Sequence, residues 1–212
     1  MQNTIEQNTP PRGEGSSRRR LTIRIGRSNL SFAYQAGQNP DIAYEPYVVR
    51  SGVSMAANLR EAFKTSGLLT ALDSDQGAQA WPPLRTMAAL DSDVMMVPIE
   101  QFDENEMERI YTFTFPANSH DAVCYDVLPD LNAVAVFAVN RDLRLVLNDH
   151  FTDIRLMTVM GPVWRHLHQR SFTGRRQKLY AYFHEKRMEL FAFRQNRFKF
   201  CNTFDTVHAH DA

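Results

Sequence analysis

The sequence has few of the features that mark secreted or membrane-spanning chains. It contains two cysteines in 212 residues, too few for a disulfide framework. Cys124 and Cys201 lie in apolar, strand-like runs, which is typical of buried thiols in a reducing compartment; a single bridge between them stays open. No apolar run reaches the roughly 18 residues that span a bilayer, and the first twenty residues lack the apolar segment of a secretory signal. We therefore predict a cytoplasmic protein.

The familiar catalytic motifs are also missing. There is no G-x-x-x-x-G-K-[ST], G-x-G-x-x-G, G-x-S-x-G or paired C-x-x-C pattern, so the sequence gives no sign of a P-loop, a dinucleotide fold, a serine hydrolase or a zinc ribbon. His166 and His168 are two residues apart, and on a helix their side chains point about 200° apart. The terminal "HAHDA" fits a helix start better than a ligand set. We therefore predict no metal site.

Charge is balanced overall but unevenly placed. The net charge is zero, yet residues 164–200 carry ten Lys or Arg and two Glu. A basic stretch of this kind is compatible with a nucleic-acid partner. Aromatic and basic residues alternate along it, and this period of two also has a plainer interpretation, with aromatic side chains in the core and cations in water. Residues 1–20 are polar and patternless, which predicts a disordered tail.

The order of predicted elements indicates an α/β fold. Residues 21–50 predict three strands, the first two joined by the polar turn "GRSN", and Ser54 is placed to cap a helix. Strands and helices then mix, with helices predicted to begin after Asp103 and Asn140. The run "AVAVFAV", residues 133–139, is apolar on both sides and predicts a central strand covered on both faces.

A second set of three strands is predicted over residues 179–204. Placing Leu21 on Leu179 aligns the turn "GRSN" with "HEKR" in the same position between two strands. The order of strands and helices is that of a ribonuclease-H-like unit, and two such units form the actin-like ATPase architecture. The alternative is that any two hairpins look alike. We expect a duplicated fold of mixed sheets, each starting with three antiparallel strands: a first lobe with insertions over 21–152, and the start of a second over 153–212.

Four long blocks carry a family resemblance: "YEPYVVRSGVSMAANLREAF", "VLPDLNAVAVFAVN", "PVWRHLHQRSFTGRRQKLYAYFHEK" and "QNRFKFCNTF". They resemble the bacterial domain-of-unknown-function family 3822, over residues 21–212. The resemblance implies an actin-like ATPase fold, similar in architecture to cytoplasmic pilus-assembly and type II secretion proteins, and implies no activity. Chains of this family continue into a helix-rich end, so we expect the second lobe to be incomplete, with the chain truncated at its C-terminus.

The resemblance can be tested against the chemistry of actin-like ATPases. These proteins place Asp, any residue and Gly after an apolar strand, so that the acid binds metal and the turn amides hold phosphate. Here Arg24 stands in the acid's place before Gly26, and the second copy has Tyr182 and His184. An arginine repels Mg²⁺ but can pair with a bare phosphate. We take Asp91 and Asp93 to be ordinary turn acids, as a two-metal nuclease site would need more carboxylates.

The sequence therefore favours a non-catalytic scaffold or interaction module that binds an unidentified protein partner. One alternative is a nucleotide-binding protein or weak ATPase that uses the cleft between the lobes. Another is a nucleic-acid-associated protein that uses the basic residues 165–199. We predict no catalytic residue and no required cofactor. The candidate nucleotide- or anion-binding residues are Arg24, Gly26, Arg27 and Ser28 in the first turn, and Gly174, Arg175 and Arg176 in a later loop.

Overall fold

The structure is a computed structural model that describes residues 19–37, 41–75, 84–172, 177–195 and 197–206. The strands are β1 (Arg20–Ile25), β2 (Leu30–Gln35), β3 (Ile42–Tyr47), β4 (Arg85–Leu90), β5 (Val94–Pro98), β6 (Ala122–Leu128), β7 (Ala133–Val139), β8 (Ile154–Thr158), β9 (Leu179–His184), β10 (Arg187–Arg194) and β11 (Arg197–Asp205). The helices are α1 (Met55–Thr65), α2 (Gly67–Asp75), α3 (Glu104–Thr114), α4 (Arg141–His150) and α5 (Met160–Ser171). The predicted tail lies outside the described residues except for its last two, and Arg20 already belongs to β1.

The first sheet has five strands in the order β3–β2–β1–β4–β8. β1, β2 and β3 are antiparallel, whereas β1, β4 and β8 are parallel, so the predicted mixed sheet with three antiparallel starting strands is present. β1 alternates buried and half-buried residues, because one face packs with α1 and α4 in the main core. β8 pairs with β4. Residues 154–158 therefore continue the first sheet, although the sequence assigned them to the second lobe.

A second sheet is inserted between β4 and α4, in the order β5–β7–β6 with all pairs antiparallel. All seven residues of β7 are buried, which confirms the prediction of a central, doubly covered strand. Met107 and Tyr111 of α3 pack against β7. The sequence placed β4 and β5 around one turn, but they belong to different sheets.

The third sheet is antiparallel, in the order β11–β10–β9. Its inner face packs Phe191 and Phe193 against Trp164 of α5, which is fully buried. The opposite face exposes Phe183 (56%) and Phe200 (44%). The expectation that the aromatic side chains of this stretch lie in the core is therefore right for one face and wrong for the other.

Two further expectations can be compared with the structure. Cys124 and Cys201 are free thiols, so the bridge that the sequence left open does not form. Within the described residues, no helix is both long enough and apolar enough to cross a membrane.

Candidate functional site

The turn between β1 and β2 forms as the sequence predicts. The backbone N–H of Gly26 donates to the carbonyl of Asn29 (2.9 Å), which closes the four-residue turn. A Cβ at Gly26 would lie 2.5 Å from Oε2 of Glu185 and 2.6 Å from Oδ1 of Asn29. A side chain at this position would therefore have to displace the Glu185 carboxylate and the Asn29 side chain.

Glu185 places a carboxylate on this turn. Its Oε1 accepts a hydrogen bond from Nη2 of Arg24 (2.8 Å), and its Oε2 accepts one from the backbone N–H of Arg27 (3.2 Å). The side chain of Glu185 is 11% exposed, whereas that of Arg24 is 42% exposed. The turn after β1 thus holds an anion, and the anion comes from the same chain.

The hairpin between β9 and β10 delivers this carboxylate. Its two turn residues, Glu185 (φ 44°) and Lys186 (φ 63°), both have left-handed backbones. Such turns favour Gly, Asn or Asp at these positions, and a side chain there costs about 1 kcal/mol or more per residue. The hydrogen bonds from Arg24 and Arg27 offset part of that strain.

The end of β4 contributes two acids. The backbone N–H of Asp91 donates to the carbonyl of Ile25 (2.9 Å), and its carboxylate is almost fully buried (2% exposed). Arg187 places Nη1 3.5 Å from Oδ1 of Asp91 and donates from Nη2 to Oδ1 of Asp93 (2.6 Å). Arg27 also reaches Oδ1 of Asp93 (3.2 Å). One arginine of the third sheet therefore joins two acids at the end of the first.

The surroundings move the pKa values of these groups in different directions. Burial raises the pKa of Asp91 above its ordinary value, although nearby cations oppose the shift. Burial would also raise the pKa of Asp93, but the hydrogen bond and charge of Arg187 outweigh it and leave this pKa lowered. Burial disfavours the charged form of Arg187, yet Asp93 and the other acids raise its pKa. The Arg187–Asp93 pair is thus held in its charged form.

We call this group the inter-sheet cluster: Arg24, Arg27, Asp91, Asp93, His184, Glu185, Arg187 and Glu189. Its far side includes Glu189, whose Oε2 accepts a hydrogen bond from Thr203 (2.9 Å). His184 lies between Asp91 and Glu189, at 3.9 Å and 3.7 Å. Cys201 adjoins Glu189, and burial raises the pKa of its thiol to about 12, so it is not a thiolate nucleophile near neutral pH.

The carboxylates of Asp93 and Glu185 are already occupied by arginines. Magnesium prefers carboxylate and water oxygens, but the oxygens of Asp93 and Glu185 already accept hydrogen bonds from arginines. Within the part of the chain that the structure describes, no group of three or more His, Cys, Asp or Glu residues is arranged to hold a metal ion. The arrangement joins the first and third sheets by charge pairs.

The structure brings some of the predicted site residues together and does not describe several others. Arg24, Gly26 and Arg27 come together around one anion, while Ser28 is exposed in the same turn. The predicted anion loop of Gly174, Arg175 and Arg176 lies outside the described residues.

Sequence reasoning missed Glu185 and Arg187 and took Asp91 and Asp93 for turn acids. One signal was available, because "HEKR" is a tight hairpin turn with charged residues where glycine or asparagine is usual.

Among the residues of the basic stretch 165–199 that the structure describes, several cations are paired within the chain. Arg187 is buried in the inter-sheet cluster. Arg197 pairs with Glu100 (3.0 Å), and Nζ of Lys178 donates to the carbonyl of Arg170 (2.8 Å). These contacts weaken the case for a nucleic-acid stripe, since a phosphate backbone needs several free cations in a row.

Comparisons with known proteins identify the fold. Among solved structures, a protein of unknown function with an actin-like ATPase fold from Bacteroides thetaiotaomicron VPI-5482 matches with a TM-score of 0.78 and 21% identity, over 92% of this chain and 73% of that one. The PilM–PilN type IV pilus biogenesis complex matches with a TM-score of 0.44 and 15% identity, over 90% of this chain and 62% of that one. No curated protein matches.

The first of these similarities shows that the chain has the actin-like ATPase fold that its sequence predicts. The model of a family described as a protein of unknown function matches residues 13–212. The chain therefore belongs to that family, DUF3822.

Proposed function

We propose that the chain is a non-catalytic interaction module of the actin-like fold. The observation that carries this proposal is the carboxylate of Glu185, which lies on Arg24 and on the backbone N–H of Arg27. A nucleotide phosphate in the same turn would have to displace a negative charge that the chain itself supplies. Arg24, in the acid's place, adds a positive charge where an ATPase needs a ligand for Mg²⁺.

The acids near this turn do not replace the missing one. Asp93 is held by Arg187, Arg27 and Asn118, and Asp91 faces Arg187 from a buried position. Taking one partner away from a buried charge pair costs about 3–5 kcal/mol. Recruiting either acid as a metal ligand would therefore work against the packing of the third sheet on the first.

We place the module in the cytoplasm, on the argument that two free thiols suit a reducing compartment. Its partner is proposed to be a protein. The pairing of Arg187 and Arg197 within the chain removes two cations from the nucleic-acid alternative.

Nucleotide binding without hydrolysis is the second candidate, and one observation favours it. Arg24 and the N–H of Arg27 hold a carboxylate, and groups that hold a carboxylate can hold a phosphate. In this case the Glu185→Ala variant would gain thermal stabilisation from millimolar inorganic phosphate, and the wild-type chain would gain less. Equal melting temperatures for the variant with and without phosphate would count against the candidate.

The non-catalytic proposal is tested by phosphate release from millimolar Mg-ATP. The wild-type chain is compared with an Asp91→Asn, Asp93→Asn double variant, purified identically, which controls for contaminating ATPases. We expect equal background rates. A wild-type rate well above that of the double variant would show that the cluster acids support hydrolysis and would replace the interaction module with an enzyme.

A further inference from the structure

A groove of about 940 Å³ runs between the second and third sheets. One wall is formed by the whole of β5, and the other by residues 197–203 of β11. Two charge pairs bridge it: Arg187–Asp93 (2.6 Å) beside the start of β5, and Arg197–Glu100 (3.0 Å) beyond its end. Because Arg197 opens β11, the two strands run in opposite directions along the groove.

The β5 wall is an unpaired strand edge. Among the described strands β5 pairs with β7 alone. The N–H of Ile99 donates to the carbonyl of Asn132 (3.3 Å) just beyond the Pro98–Ala133 pair. This bond fixes which residues face β7, because hydrogen-bonded and non-bonded pairs alternate along an antiparallel ladder. In this alternation Pro98 is in a non-bonded pair with Ala133, which suits a residue that has no N–H to donate. The N–H and C=O groups of Val94 and Met96 therefore point away from β7.

The β11 wall is a second unpaired edge. Within the part of the chain that the structure describes, β11 pairs with β10 alone, and the N–H of Thr206 donates to the carbonyl of Lys186 (2.8 Å). By the same alternation, the backbone groups of Thr203 and Cys201 point away from β10. The N–H of Thr203 indeed donates to the side chain of Asn202 (3.0 Å) rather than to β10. Met96 and Cys201 thus present outward-facing backbone groups from opposite walls.

We propose that this groove binds an extended peptide segment of a partner protein, which adds as a strand between β5 and β11. The inference rests on the proposed function and names the kind of partner. Unpaired strand edges are templates for strand addition, in which backbone hydrogen bonds supply affinity and side-chain contacts supply specificity. The volume falls in the range of about 300–1,000 Å³ typical of binding clefts.

The lining residues indicate which peptide would fit. Met96 and Phe198 belong to the apolar cluster beside the groove, so apolar side chains on one face of the added strand would lie against them. Lys199 is an exposed lining residue, and none of its contacts with described residues is an ion pair. An acidic residue opposite Lys199 would complement it. Both strand edges of one chain line the same groove. A single extended segment can pair with both of them, and it therefore suits the groove better than the folded edge of a second copy.

The test begins with peptides selected from a phage-displayed random library on the full chain. Enriched peptides are synthesised with a single N-methyl group at each amide in turn, and their affinities for the wild-type protein are measured by fluorescence anisotropy. A strand between two edges donates alternate amides to β5 and the amides between them to β11. N-methylation should therefore cost roughly tenfold at each amide inside the groove and little at amides beyond its ends. This pattern reports backbone pairing directly and needs no protein variant.

Protein variants locate the site. Met96→Pro removes an outward N–H from β5, and we expect it to weaken peptide binding by roughly tenfold or more. Val127→Pro is the matched control: Val127 lies in β6, the other edge strand of the same sheet, and the same alternation turns its N–H away from β7. We expect this variant to bind like the wild type. Melting curves check that both variants fold.

Each outcome decides the inference. Losses at successive amides in the N-methyl series together with loss in Met96→Pro support it, whereas losses at alternate amides only would mean pairing with a single edge and would overturn insertion between two. Peptides that are indifferent to N-methylation, or that bind Met96→Pro as well as wild type, overturn the groove but leave an interaction module elsewhere on the chain. A library that yields no binding peptide also overturns the groove. The phosphate-release assay decides the proposed function separately.

Discussion

At the scale of single residues, Gly26 and Glu185 are two parts of one contact. A methyl group at Gly26 would meet both the Glu185 carboxylate and the Asn29 side chain, and both can move because they are side-chain ends. We therefore expect Gly26→Ala to displace Glu185 from Arg24 and Arg27 and to lower the free energy of unfolding by about 1–2 kcal/mol.

Urea unfolding of Gly26→Ala, Glu185→Ala and the double variant checks this coupling. In the Glu185→Ala background the glycine substitution should cost markedly less, since the carboxylate that it clashes with is gone. Additive losses would mean that Gly26 is required for a reason other than Glu185.

The contribution of Asp93 to the stability of the fold depends on pH. Its pKa is lowered in the folded state, so its contribution to stability is present above the unfolded value, near 3.9, and is lost as pH falls through the folded value. We expect Asp93→Asn to lower the free energy of unfolding by about 3 kcal/mol at neutral pH, with the difference from wild type shrinking as the pH approaches 3.

Asp91→Asn is the matched control, measured by urea unfolding over the same pH range. The pKa of Asp91 is raised by burial, so its carboxylate works against stability as pH rises through the folded value. The pH dependence of this variant relative to wild type should therefore have the opposite sign. The same slope for both variants would contradict the assignment of their environments.

The sequence predicted only half of this residue-scale site. Gly26 could be located, because a strand followed by a polar turn is a local pattern. Glu185 could not, because it lies 161 positions from Arg24 in the chain. No local sequence pattern shows that two such distant residues are in contact. Asp91 and Asp93 looked like turn acids for the same reason: their partner Arg187 lies in another sheet.

At the scale of elements, the β9–β10 hairpin is held in an unfavourable turn. Both Glu185 and Lys186 have positive φ angles. The hydrogen bonds from Arg24 and Arg27 go to the side chain of Glu185 and not to that of Lys186. Lys186→Gly should relieve strain at one position and raise the free energy of unfolding by about 1 kcal/mol.

Guanidinium unfolding of Lys186→Gly beside wild type measures this effect. Lys186→Ala serves as the control, because it removes the charge but keeps a Cβ at the same positive φ. A gain in the glycine variant alone supports the strain. If both variants lose stability, the lysine side chain itself stabilises the hairpin.

Element ends and central strands could be predicted, while sheet membership could not. Ser54, Asp103 and Asn140 cap α1, α3 and α4 as expected, because a cap is a contact between near neighbours in the chain. The apolar run of β7 reports burial on both faces in the same local way. Strand periodicity in β4 and β5 gave no information about partners, and a polar turn between them resembled a hairpin although the chain changes sheets there.

At the scale of the whole molecule, the order of elements together with the family resemblance predicted the actin-like fold, which the structural similarity shows. The position of β8 could not be predicted, since a lone strand between two helices can join either sheet. The candidate site arises only at this scale, where the turn after β1, the end of β4 and the β9–β10 hairpin meet.

We propose that Glu185 occupies the turn after β1 and keeps a nucleotide phosphate out of it. The most direct test is the melting temperature of the wild-type chain with and without millimolar Mg-ATP, with Mg²⁺ alone as the control. A ligand present at about 100 times its dissociation constant adds about 2.7 kcal/mol of stability, which a melting curve resolves easily. We expect no shift of the melting temperature beyond that caused by Mg²⁺ alone. A clear, magnesium-dependent rise with ATP would contradict it and would mean that nucleotide displaces Glu185 in the native protein.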